Sequence, residues 1–507
     1  MTDRFRKLAR LVLEREPGPA GQALPTARQA WAPLLLAAAL LAIFAAVYIP
    51  MLPTGGISQY DEFTTLDRTM GFARQDDWLT VYYKNEPSFR KPPLQYWMSA
   101  GLMQAGVDQT LAVRLPSMVF ALATLVATGL LAALVMPWNL WAVPAAMLLL
   151  ASSTQFWAYA ASAMLDSGAA LFAVLALAAA LVALRRPGWW YACALAVGLG
   201  AWQKAPVPLV LVGLFLFLLA KVGSGFRYAD IKTNVHFRYA LRLALVLTFA
   251  WPAFQTVLYG YEVIEDLYGG QMIERFAPVA PLKQPRGWEQ FEQLVIVGEP
   301  VLRWAGIAAL LWLPWRLKRP ELRVLPALFA IYVVAMLLAG GSVYSRYTLI
   351  FLPLLPVALA AVSLSFFRRP WAPLLLVLVV SAVSGSPFKS PETLGVYQSD
   401  KLQTQLQVLA EVGQSLRPEE RLITCNWNRD SRFLPGAVSI LASGGRVFVG
   451  LNTPTQFDRY HEMGRLDGPV RGVCTAEELD EILPRLEGVK RERMLADYVV
   501  WTAEAVN

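Results

Sequence analysis

The sequence predicts an α-helical polytopic membrane protein that carries a small α/β domain outside the membrane. Of its 507 residues, 56% are hydrophobic and only 16% are charged, whereas a soluble domain carries about 25% charged residues. The mean hydropathy is +0.43, and the apolar residues fall into separate long runs. From about residue 387 these runs stop and charged residues become frequent, so the tail is predicted to fold in water.

The apolar runs are candidates for membrane-spanning helices, each of which needs about 20 residues. They lie at 31–52, 111–136, 140–158, 162–184, 189–205, 206–220, 239–259, 298–315, 324–340, 347–366 and 371–386. The runs therefore predict about eleven transmembrane helices. A further helix is predicted over 95–108, and because it is too short to span, we expect it to lie at the membrane surface or to re-enter.

The distribution of Lys and Arg orients these runs. The basic segment 1–30 leads directly into the run 31–52, which has no small-residue cleavage site, so it is predicted to be a retained signal anchor with a cytoplasmic N-terminus. Alternate crossings then place these connections in the cytoplasm: 137–139, 185–188, 221–238, 316–323 and 367–370. All but the first are rich in Lys and Arg, as cytoplasmic loops are.

The same count defines the domains. Residues 1–30 form the cytoplasmic N-terminus, residues 31–386 the membrane domain with an outer loop at 54–110, and residues 387–507 an extracytoplasmic α/β domain. In that tail, the β-like runs "RVFVGL" and "DYVVWT" alternate with helical stretches. Cys425 and Cys474 both lie there and could form a disulfide in an oxidising compartment, a pairing that the sequence leaves open.

Asp61 and Glu62 stand side by side in the outer loop, shortly after the first spanning run. Adjacent carboxylates at such a place can act as a general base, bind a metal ion or recognise a polar substrate. The alternative is an acidic loop that is merely solvated. Charge next to a membrane is often functional and a helical stretch follows, so the functional interpretation is favoured.

Arg90 and Lys91 precede two prolines in the segment "FRKPPLQYW". The prolines fix the backbone and prevent a regular helix from starting before them. Lys91 is thereby held on a rigid mount, from which an ammonium can bind a phosphate. The alternative is that the cations reach the membrane surface beside Tyr96 and Trp97 as interfacial aromatic residues, and the segment alone does not decide between the two.

Asp166, Lys204, Arg346 and Tyr347 lie at ends of apolar runs on the predicted outer face. Each ion taken alone could be a helix-end group satisfied by water. Because these acids and cations were assigned to one face independently, the set predicts a site on that face.

Several classes of protein are not supported by the sequence. The net charge of +8 would suit a nucleic-acid partner, but the aromatic residues do not interleave with the basic ones, so no nucleic-acid binding is expected. The chain has no Walker A loop, no H-E-x-x-H motif and no paired C-x-x-C. Its two histidines, His236 and His461, are predicted on opposite sides of the membrane, which argues against a multi-histidine metal centre.

These residues resemble the GT-C membrane glycosyltransferases, in particular the bacterial branch with the aminoarabinose transferase of lipid A and the protein O-mannosyltransferase-like enzymes. The resemblance is dense over 57–120, where Asp-Glu is followed by "DDWLT", by Phe-x-Lys-Pro-Pro-Leu-x-Tyr-Trp and by "AVRLPS". It continues through Asp166, "GLGAWQKAPVPLVL" and "SRYTLIFLPLLPVALA". It therefore covers most of the membrane domain but not the tail.

The resemblance implies a GT-C fold and an inverting transfer of a sugar from a polyprenyl phosphate to an acceptor on the periplasmic face. Asp61, with Glu62 beside it, matches the first-loop acid that activates the acceptor or supports the transition state. Lys91 matches the lysine that faces the lipid phosphate, with Arg346 and Arg90 as assisting cations. The cavity and substrate positions implied in addition are Asp166, Lys204, Tyr347 and Tyr96.

The chain departs from the aminoarabinose branch at three places. Arg90 stands where that branch has a Glu before the Lys, Met272 where it has a His, and Thr64-Thr65 where it has Arg-Tyr. Two of these changes remove zinc ligands of that branch. Neither aminoarabinose nor zinc is therefore expected, and no cofactor is predicted, with another divalent metal left open.

Two functions from different classes follow. The first is a glycosyltransferase of the bacterial inner membrane that takes an undecaprenyl-phosphate-linked sugar from the lipid bilayer and modifies an envelope glycolipid, such as lipid A, or a protein hydroxyl. The second is a non-catalytic transporter or flippase of lipid-linked sugars, for which charged residues are expected at mid-membrane on facing helices. Because the charges of this chain gather at one end of the runs, the enzyme is favoured.

Overall fold

The computed structural model of the protein describes most of residues 25–506. The ranges that it does not describe within them are 55–56, 58–59, 84–85, 223–227, 268–287, 297, 339–344, 367–385, 395–407, 410, 414, 418–419, 426–447, 452–454, 463–465 and 467. The chain divides into two compact units. The first unit is Met1–Leu52, Ser88–Leu102 and Arg114–Leu394, and the second is Pro53–Pro87, Met103–Val113 and Gly395–Asn507.

The α-helices of the described residues are, in chain order, α1 (Ala27–Tyr48), α2 (Tyr60–Gln75), α3 (Leu94–Gln104), α4 (Gln109–Val135), α5 (Ala142–Ala151), α6 (Thr154–Ala161), α7 (Asp166–Ala183), α8 (Trp189–Gln203), α9 (Val207–Leu219), α10 (Tyr228–Thr233), α11 (Val235–Tyr259), α12 (Tyr261–Ile264), α13 (Trp288–Phe291), α14 (Pro300–Leu317), α15 (Val324–Leu338), α16 (Leu354–Phe366), α17 (Pro391–Leu394), α18 (Thr455–Glu462) and α19 (Ala476–Ile482). A π-helical turn covers Glu292–Ile296, and 3-10 turns cover Ile49–Met51, Pro320–Arg323, Ser345–Ile350 and Leu483–Arg485.

Capping side chains explain where the structure departs from the predicted runs. The run predicted over 140–158 is two helices, because Ser153 is extended and its hydroxyl accepts a hydrogen bond from the backbone N–H of Phe156, which starts α6 afresh. The run predicted from 239 begins four residues earlier, at Val235, because Asn234 accepts a hydrogen bond from the N–H of Phe237. Short polar side chains thus set helix boundaries that hydropathy alone does not locate.

The length and composition of the helices agree with a multi-pass membrane protein. Five described stretches are long and apolar enough to span: Arg28–Met51, Gln109–Val135, Asp166–Ala183, Val235–Tyr259 and Glu321–Leu338. The bent pair of helical stretches Trp288–Ile296 and Pro300–Leu317 would add a sixth if taken as one span, and α5, α9 and α16 are shorter apolar helices. The predicted run 371–386 lies almost wholly outside the described residues, so the total of about eleven stays a prediction.

The core of the first unit is built around α7, in which 89% of the residues are buried. The helix is rich in alanine, and small side chains let neighbouring helices approach closely in a membrane. Gly198 of α8 shows how close the approach is, since a Cβ at this position would lie 2.5 Å from the Cβ of Leu247 in α11. This packing holds α8 closely against α11, and α7 packs on α8.

Connections predicted on the cytoplasmic side meet at one end of the first unit, called here the basic end. The guanidinium of Arg319 donates hydrogen bonds to the carbonyl oxygens of Leu134 and Val135 at 3.1 and 2.9 Å. Arg185 lies 3.7 Å from the carboxylate of Glu321. Since the segments around 135, 185 and 321 are far apart in sequence, their meeting agrees with the predicted order of crossings.

The second unit contains a five-stranded mixed sheet and two short strand pairs. The strands are, in chain order, β1 (Tyr82–Tyr83), β2 (Glu86–Pro87), β3 (Arg421–Cys425), β4 (Phe448–Leu451), β5 (Val470–Cys474), β6 (Leu486–Glu487), β7 (Lys490–Leu495), β8 (Tyr498–Ala503) and β9 (Ala505–Val506). The order across the sheet is β4-β3-β5-β8-β7, and the short pairs are β1 with β2 and β6 with β9. β3 runs parallel to β4 and β5, and the β5–β8 and β8–β7 pairs are antiparallel. With α19 beside the sheet, the predicted α/β tail is confirmed.

A disulfide joins the two cysteines whose pairing the sequence left open. Cys425 ends β3 and Cys474 ends the neighbouring parallel strand β5, with their Cα atoms 4.9 Å apart. The indole N–H of the buried Trp501 points at the sulfur of Cys474, at 3.3 Å. The bond therefore lies within the core of this sheet. The third cysteine, Cys193 of the first unit, is free and buried.

Candidate active site

Asp166 and Lys204 form the charged centre of the first unit. Asp166 begins α7 and Lys204 follows the last residue of α8, and because the two helices form an antiparallel pair, these ends meet. The ammonium of Lys204 donates a hydrogen bond to Oδ1 of Asp166, and the side chains are only 16% and 8% exposed. A carboxylate at a helix start and an ammonium at a helix end both suit the helix dipoles.

Tyr347 and Arg346 complete this cluster. The ammonium of Lys204 lies 4.9 Å from the centre of the Tyr347 ring, and the guanidinium carbon of Arg346 lies 5.7 Å from the same ring. The hydroxyl of Tyr332 donates a 2.6 Å hydrogen bond to the backbone carbonyl of Tyr347 and so holds the 3-10 turn that carries both residues. Four of the predicted site residues are thus together.

The segment that carries Lys91 is anchored to the chain that follows α11. Both carboxylate oxygens of Asp266 are used: Oδ1 accepts from Nε of Arg90 at 2.6 Å, and Oδ2 accepts from the backbone N–H of Phe89 at 3.2 Å. The Phe89 ring packs on Tyr259, with 5.1 Å between ring centres. Lys91 itself is half-buried, and in the sequence it lies between this anchor and two buried prolines.

Those prolines act as the sequence predicts. Pro92 and Pro93 are buried, and the regular helix α3 begins only at Leu94. Tyr96, a predicted substrate residue, lies in the first turn of α3 and is completely buried. The short helix predicted over 95–108 is therefore present, and it ends at Gln104.

Asp61 and Glu62 occupy the first turn of α2, in the second unit. Asp61 is half-buried and Glu62 is only 1% exposed. Further along the helix, the carboxylate of Asp67 pairs with Arg74 at 2.5 Å, and the guanidinium of Arg68 lies 5.0 Å from the centre of the Tyr83 ring. The first contact lies within α2, and the second ties α2 to the hairpin that follows it. Thr64 and Thr65, where the related branch has Arg-Tyr, are buried within the same helix.

The second acidic pair of the loop has a structural part. Oδ1 of Asp77 accepts hydrogen bonds from the N–H groups of Leu79 and Thr80 at 2.8 and 3.3 Å, and Oδ2 accepts from the hydroxyl of Tyr82 at 3.0 Å. Burial raises the pKa of Asp77, but these hydrogen bonds outweigh it and hold the pKa below its usual value. Asp77 therefore fixes the turn between α2 and β1.

A second group of ions in the first unit was not singled out from the sequence. Glu299 and Arg303, each only 1% exposed, approach to 3.4 Å one turn apart at the start of α14, and Arg303 also donates to the amide of Gln155. The ammonium of Lys389 donates to the carbonyl of Ser152 at 3.1 Å. Burial lowers the pKa of Lys389, an effect that the carboxylate of Glu299 partly offsets. A Glu and an Arg four residues apart in an apolar run are the signal that could have identified this group.

Among the described residues, no three His, Cys, Asp or Glu side chains lie close enough together to hold a metal ion. At the position of the zinc ligand Glu of the related branch, Arg90 is paired with Asp266. Met272 lies outside the described residues.

Comparisons with known proteins agree with this architecture. Residues 90–251, which include Lys91, Asp166 and Lys204, match the family model of dolichyl-phosphate-mannose-protein mannosyltransferase. The crystal structure of ArnT from Cupriavidus metallidurans bound to undecaprenyl phosphate is similar, with a TM-score of 0.71 at 18% identity over 92% of this chain and 97% of that chain. Its apo state gives a TM-score of 0.69 at 18% identity over 94% and 98%.

The arabinofuranosyltransferase AftD from Mycobacteria, seen by single-particle cryo-EM, is a more distant structural relative. It has a TM-score of 0.53 at 14% identity, over 92% of this chain and 40% of that chain. No curated protein matches the sequence. At these identities the likeness shows the fold, which is the one seen in ArnT, and the predicted fold class and resemblance are thereby confirmed.

Proposed function

We propose that this protein is an inverting glycosyltransferase that moves a sugar from a polyprenyl-phosphate donor to an acceptor of the bacterial cell envelope. Support comes from the match of residues 90–251 to a mannosyltransferase family model and from the GT-C fold. The similar ArnT structure contains undecaprenyl phosphate, which supports undecaprenyl phosphate as the carrier here. The acceptor is an envelope glycolipid such as lipid A, with a protein hydroxyl as the second choice.

The observation that carries this proposal is the cluster of Lys204, Arg346, Tyr347 and Asp166. The bond that breaks joins the anomeric carbon of the sugar to a phosphate oxygen, and the leaving group is the polyprenyl phosphate. Negative charge grows on that phosphate, and fixed cations in a site shielded from water stabilise such charge strongly. We assign this task to Lys91, Lys204 and Arg346, with Asp166 holding the ammonium of Lys204.

The acceptor hydroxyl attacks the anomeric carbon from the side opposite the phosphate, so a single displacement inverts the configuration. The hydroxyl proton must leave as the new C–O bond forms. We assign its removal to the carboxylate of Asp61, with Glu62 beside it as the supporting acid. Tyr96 and Tyr347 are assigned to the sugar and carrier binding region.

The test is the substitution Asp61→Asn, which keeps the shape of the side chain and removes the base. Membranes with normal amounts of the variant should release no polyprenyl phosphate from an undecaprenyl-phosphate-linked sugar in the presence of acceptor. The matched control is Asp76→Asn, because Asp76 is exposed and has a positive φ of 50°, which asparagine accepts readily. Undiminished transfer by the Asp61→Asn protein would overturn the assignment.

The acceptor and the sugar are addressed by a separate measurement. Mass spectrometry of envelope lipids and proteins from cells with and without this chain should show one class of molecule that loses a sugar in its absence. A change confined to a protein fraction would move the proposal from glycolipid to protein hydroxyl.

We also propose a location and orientation. The protein lies in the bacterial inner membrane with a cytoplasmic N-terminus, and its catalytic loop at 54–110 and its tail from 387 are periplasmic. The meeting of Arg185, Arg319 and Glu321 at the basic end supports this, because basic connections stay in the cytoplasm. A tag after residue 507 should react with a membrane-impermeant reagent from the periplasmic side, and labelling from the cytoplasm alone would reverse the topology.

A transporter or flippase of lipid-linked sugars is the second candidate. The observation in its favour is the buried Glu299–Arg303 pair at the start of the apolar helix α14, since buried ions in the membrane part of a protein often mark a transport path. The two candidates differ in chemistry. A transporter leaves the sugar on its carrier, whereas the proposed enzyme yields free polyprenyl phosphate.

A further inference from the structure

Two buried glutamines link three helices of the first unit. The side-chain amide of Gln203, at the end of α8, donates to Oε1 of Gln95 in α3 at 2.7 Å and to the backbone carbonyl of Leu165 at 3.1 Å. Gln95 in turn donates to the hydroxyl of Ser117 in α4 at 2.9 Å, and that hydroxyl donates to the carbonyl of Met164 at 2.9 Å. We call this chain of hydrogen bonds the glutamine link.

The direction of every bond in the glutamine link is fixed by its two ends. Both ends are backbone carbonyls, of Leu165 and Met164, which can only accept. Gln203 must therefore present its NH₂ group, Gln95 must accept with its oxygen and donate with its nitrogen, and Ser117 must donate. Only one arrangement of the amides satisfies all four bonds.

The surroundings shield these bonds from bulk solvent. Gln95, Gln203 and Ser117 are each 0% exposed. A Cβ at Gly168 of α7 would lie 2.5 Å from the amide carbon of Gln203, so α7 meets this side chain with a bare backbone. A buried amide that loses its partner carries the full cost of desolvation, and the glutamine link therefore constrains the relative positions of α3, α4 and α8.

The positions joined by the link are the neighbours of proposed site residues. Gln203 precedes Lys204, Leu165 precedes Asp166, and Gln95 lies four residues after Lys91, beyond the two buried prolines. The link therefore connects the helix that follows Lys91 to the residues that directly precede Asp166 and Lys204.

We infer that Gln95 and Gln203 are positioning residues that set the spacing between Lys91 and the Asp166–Lys204 pair. This inference rests on the proposed function, in which Lys91 and Lys204 act on one phosphate group. Two cations stabilise a developing charge only if both reach it in one geometry, and a misplacement of about 1 Å can cost roughly 100-fold in rate.

The experiment compares Gln95→Met, Gln203→Met and the double variant in the full-length protein. Methionine keeps the length of the side chain and removes its hydrogen bonds. The matched control is Gln104→Met, because Gln104 ends the same helix α3 and is exposed. The measured quantities are kcat and KM for undecaprenyl-phosphate-linked sugar, the Kd for undecaprenyl phosphate and the melting temperature.

Each single variant should lose at least about 10-fold in kcat per folded molecule, because the cations no longer meet the leaving phosphate together. The double variant should lose little more than either single one, since both changes break the same link. The control should match the wild type in all measurements. A lower melting temperature or yield with unchanged kcat and KM would reduce the link to a purely structural role and overturn the inference.

The failure of the proposed function gives a different result. If the wild-type chain releases no polyprenyl phosphate from any donor, the proposed function fails, and the inference is overturned with it. If the wild type transfers sugar and both methionine variants transfer it at the same rate, only the inference is overturned.

Discussion

The pairing of Lys204 with Asp166 makes a quantitative prediction for the substitution Lys204→Met. The change leaves the carboxylate of Asp166, only 8% exposed, without its cation. Removing one partner of a buried ion pair costs about 3–5 kcal/mol, and the lost contact of the ammonium with the Tyr347 ring adds about 0.5–2 kcal/mol. We therefore expect a large destabilisation of the first unit.

The structure supplies its own reporter for this measurement. Cys193 is the free cysteine of the chain and is 4% exposed, while the other two cysteines form a disulfide. A thiol-reactive fluorophore should therefore respond when the first unit unfolds on heating in detergent. With a destabilisation of this size, the midpoint of the Lys204→Met protein should fall by roughly 5–10 °C.

The double variant Asp166→Asn with Lys204→Met distinguishes the effect of an unpaired buried charge from the effect of changed side-chain packing. It removes both charges, and replacing a buried pair by neutral groups is often close to neutral for stability. The midpoint should therefore recover most of the loss, whereas sugar transfer should be lost in both the single and the double variant, because both lack the Lys204 cation. A single variant that melts like the wild type, or a double variant that melts below the single one, would refute this reasoning.

Two more predictions concern packing and pH. Gly168→Ala should lower the thermal midpoint by an amount that corresponds to about 1–3 kcal/mol, because the new Cβ would meet the amide of Gln203 at 2.5 Å. Gly213→Ala, at a helix position with nothing within 4 Å of the new Cβ, should instead raise it slightly, and equal effects at both sites would contradict the packing argument. For Asp77, the folded pKa is lowered, so its stabilising contribution is present above the unfolded value near 3.9 and is lost as the pH falls through the folded value. Limited proteolysis should therefore show the turn at Asp77 intact at pH 7 and opened at low pH, with Asp77→Ala cleaved at both, whereas cleavage that does not depend on pH would contradict it.

The charged cluster was predictable because its residues are rare in apolar runs. Asp166 and Lys204 stand out against long stretches of Ala, Leu and Val, and counting the crossings assigns them to one side of the bundle. Their direct hydrogen bond follows from the antiparallel arrangement of α7 and α8. Such a contact needs only the order of the helices, which hydropathy gives well.

The glutamine link and the anchor at Asp266 were not predictable in the same way. An amide such as Gln203 has no pattern of its own, because a glutamine can face water, a neighbour or a backbone carbonyl equally well. Asp266 lies about 180 residues from Arg90, and their 2.6 Å contact depends on how the end of α11 is placed. Contacts of this kind are decided by tertiary packing, which the local sequence does not encode.

Helix boundaries also include features that the hydropathy of the sequence does not predict. The break at Ser153 and the early start of α11 after Asn234 each depend on one capping hydrogen bond of about 1 kcal/mol. Hydropathy averages over many residues and so does not register them. The proposed roles of Asp61 and Lys91 stay predictions for the assays described above.

The second unit is made of segments that lie far apart in the sequence, and this has a consequence for biosynthesis. Its segment Pro53–Pro87, with α2 and Asp61, leaves the ribosome early, but Gly395–Asn507 follows only after roughly 300 further residues. At about 5–20 residues per second this interval lasts about 15–60 s. During that time the membrane helices insert, and α2 with Asp61 is present without the segment Gly395–Asn507 of its unit. A nascent chain therefore has its membrane part well before the unit that would make it active, so a prematurely ended chain is expected to be inert.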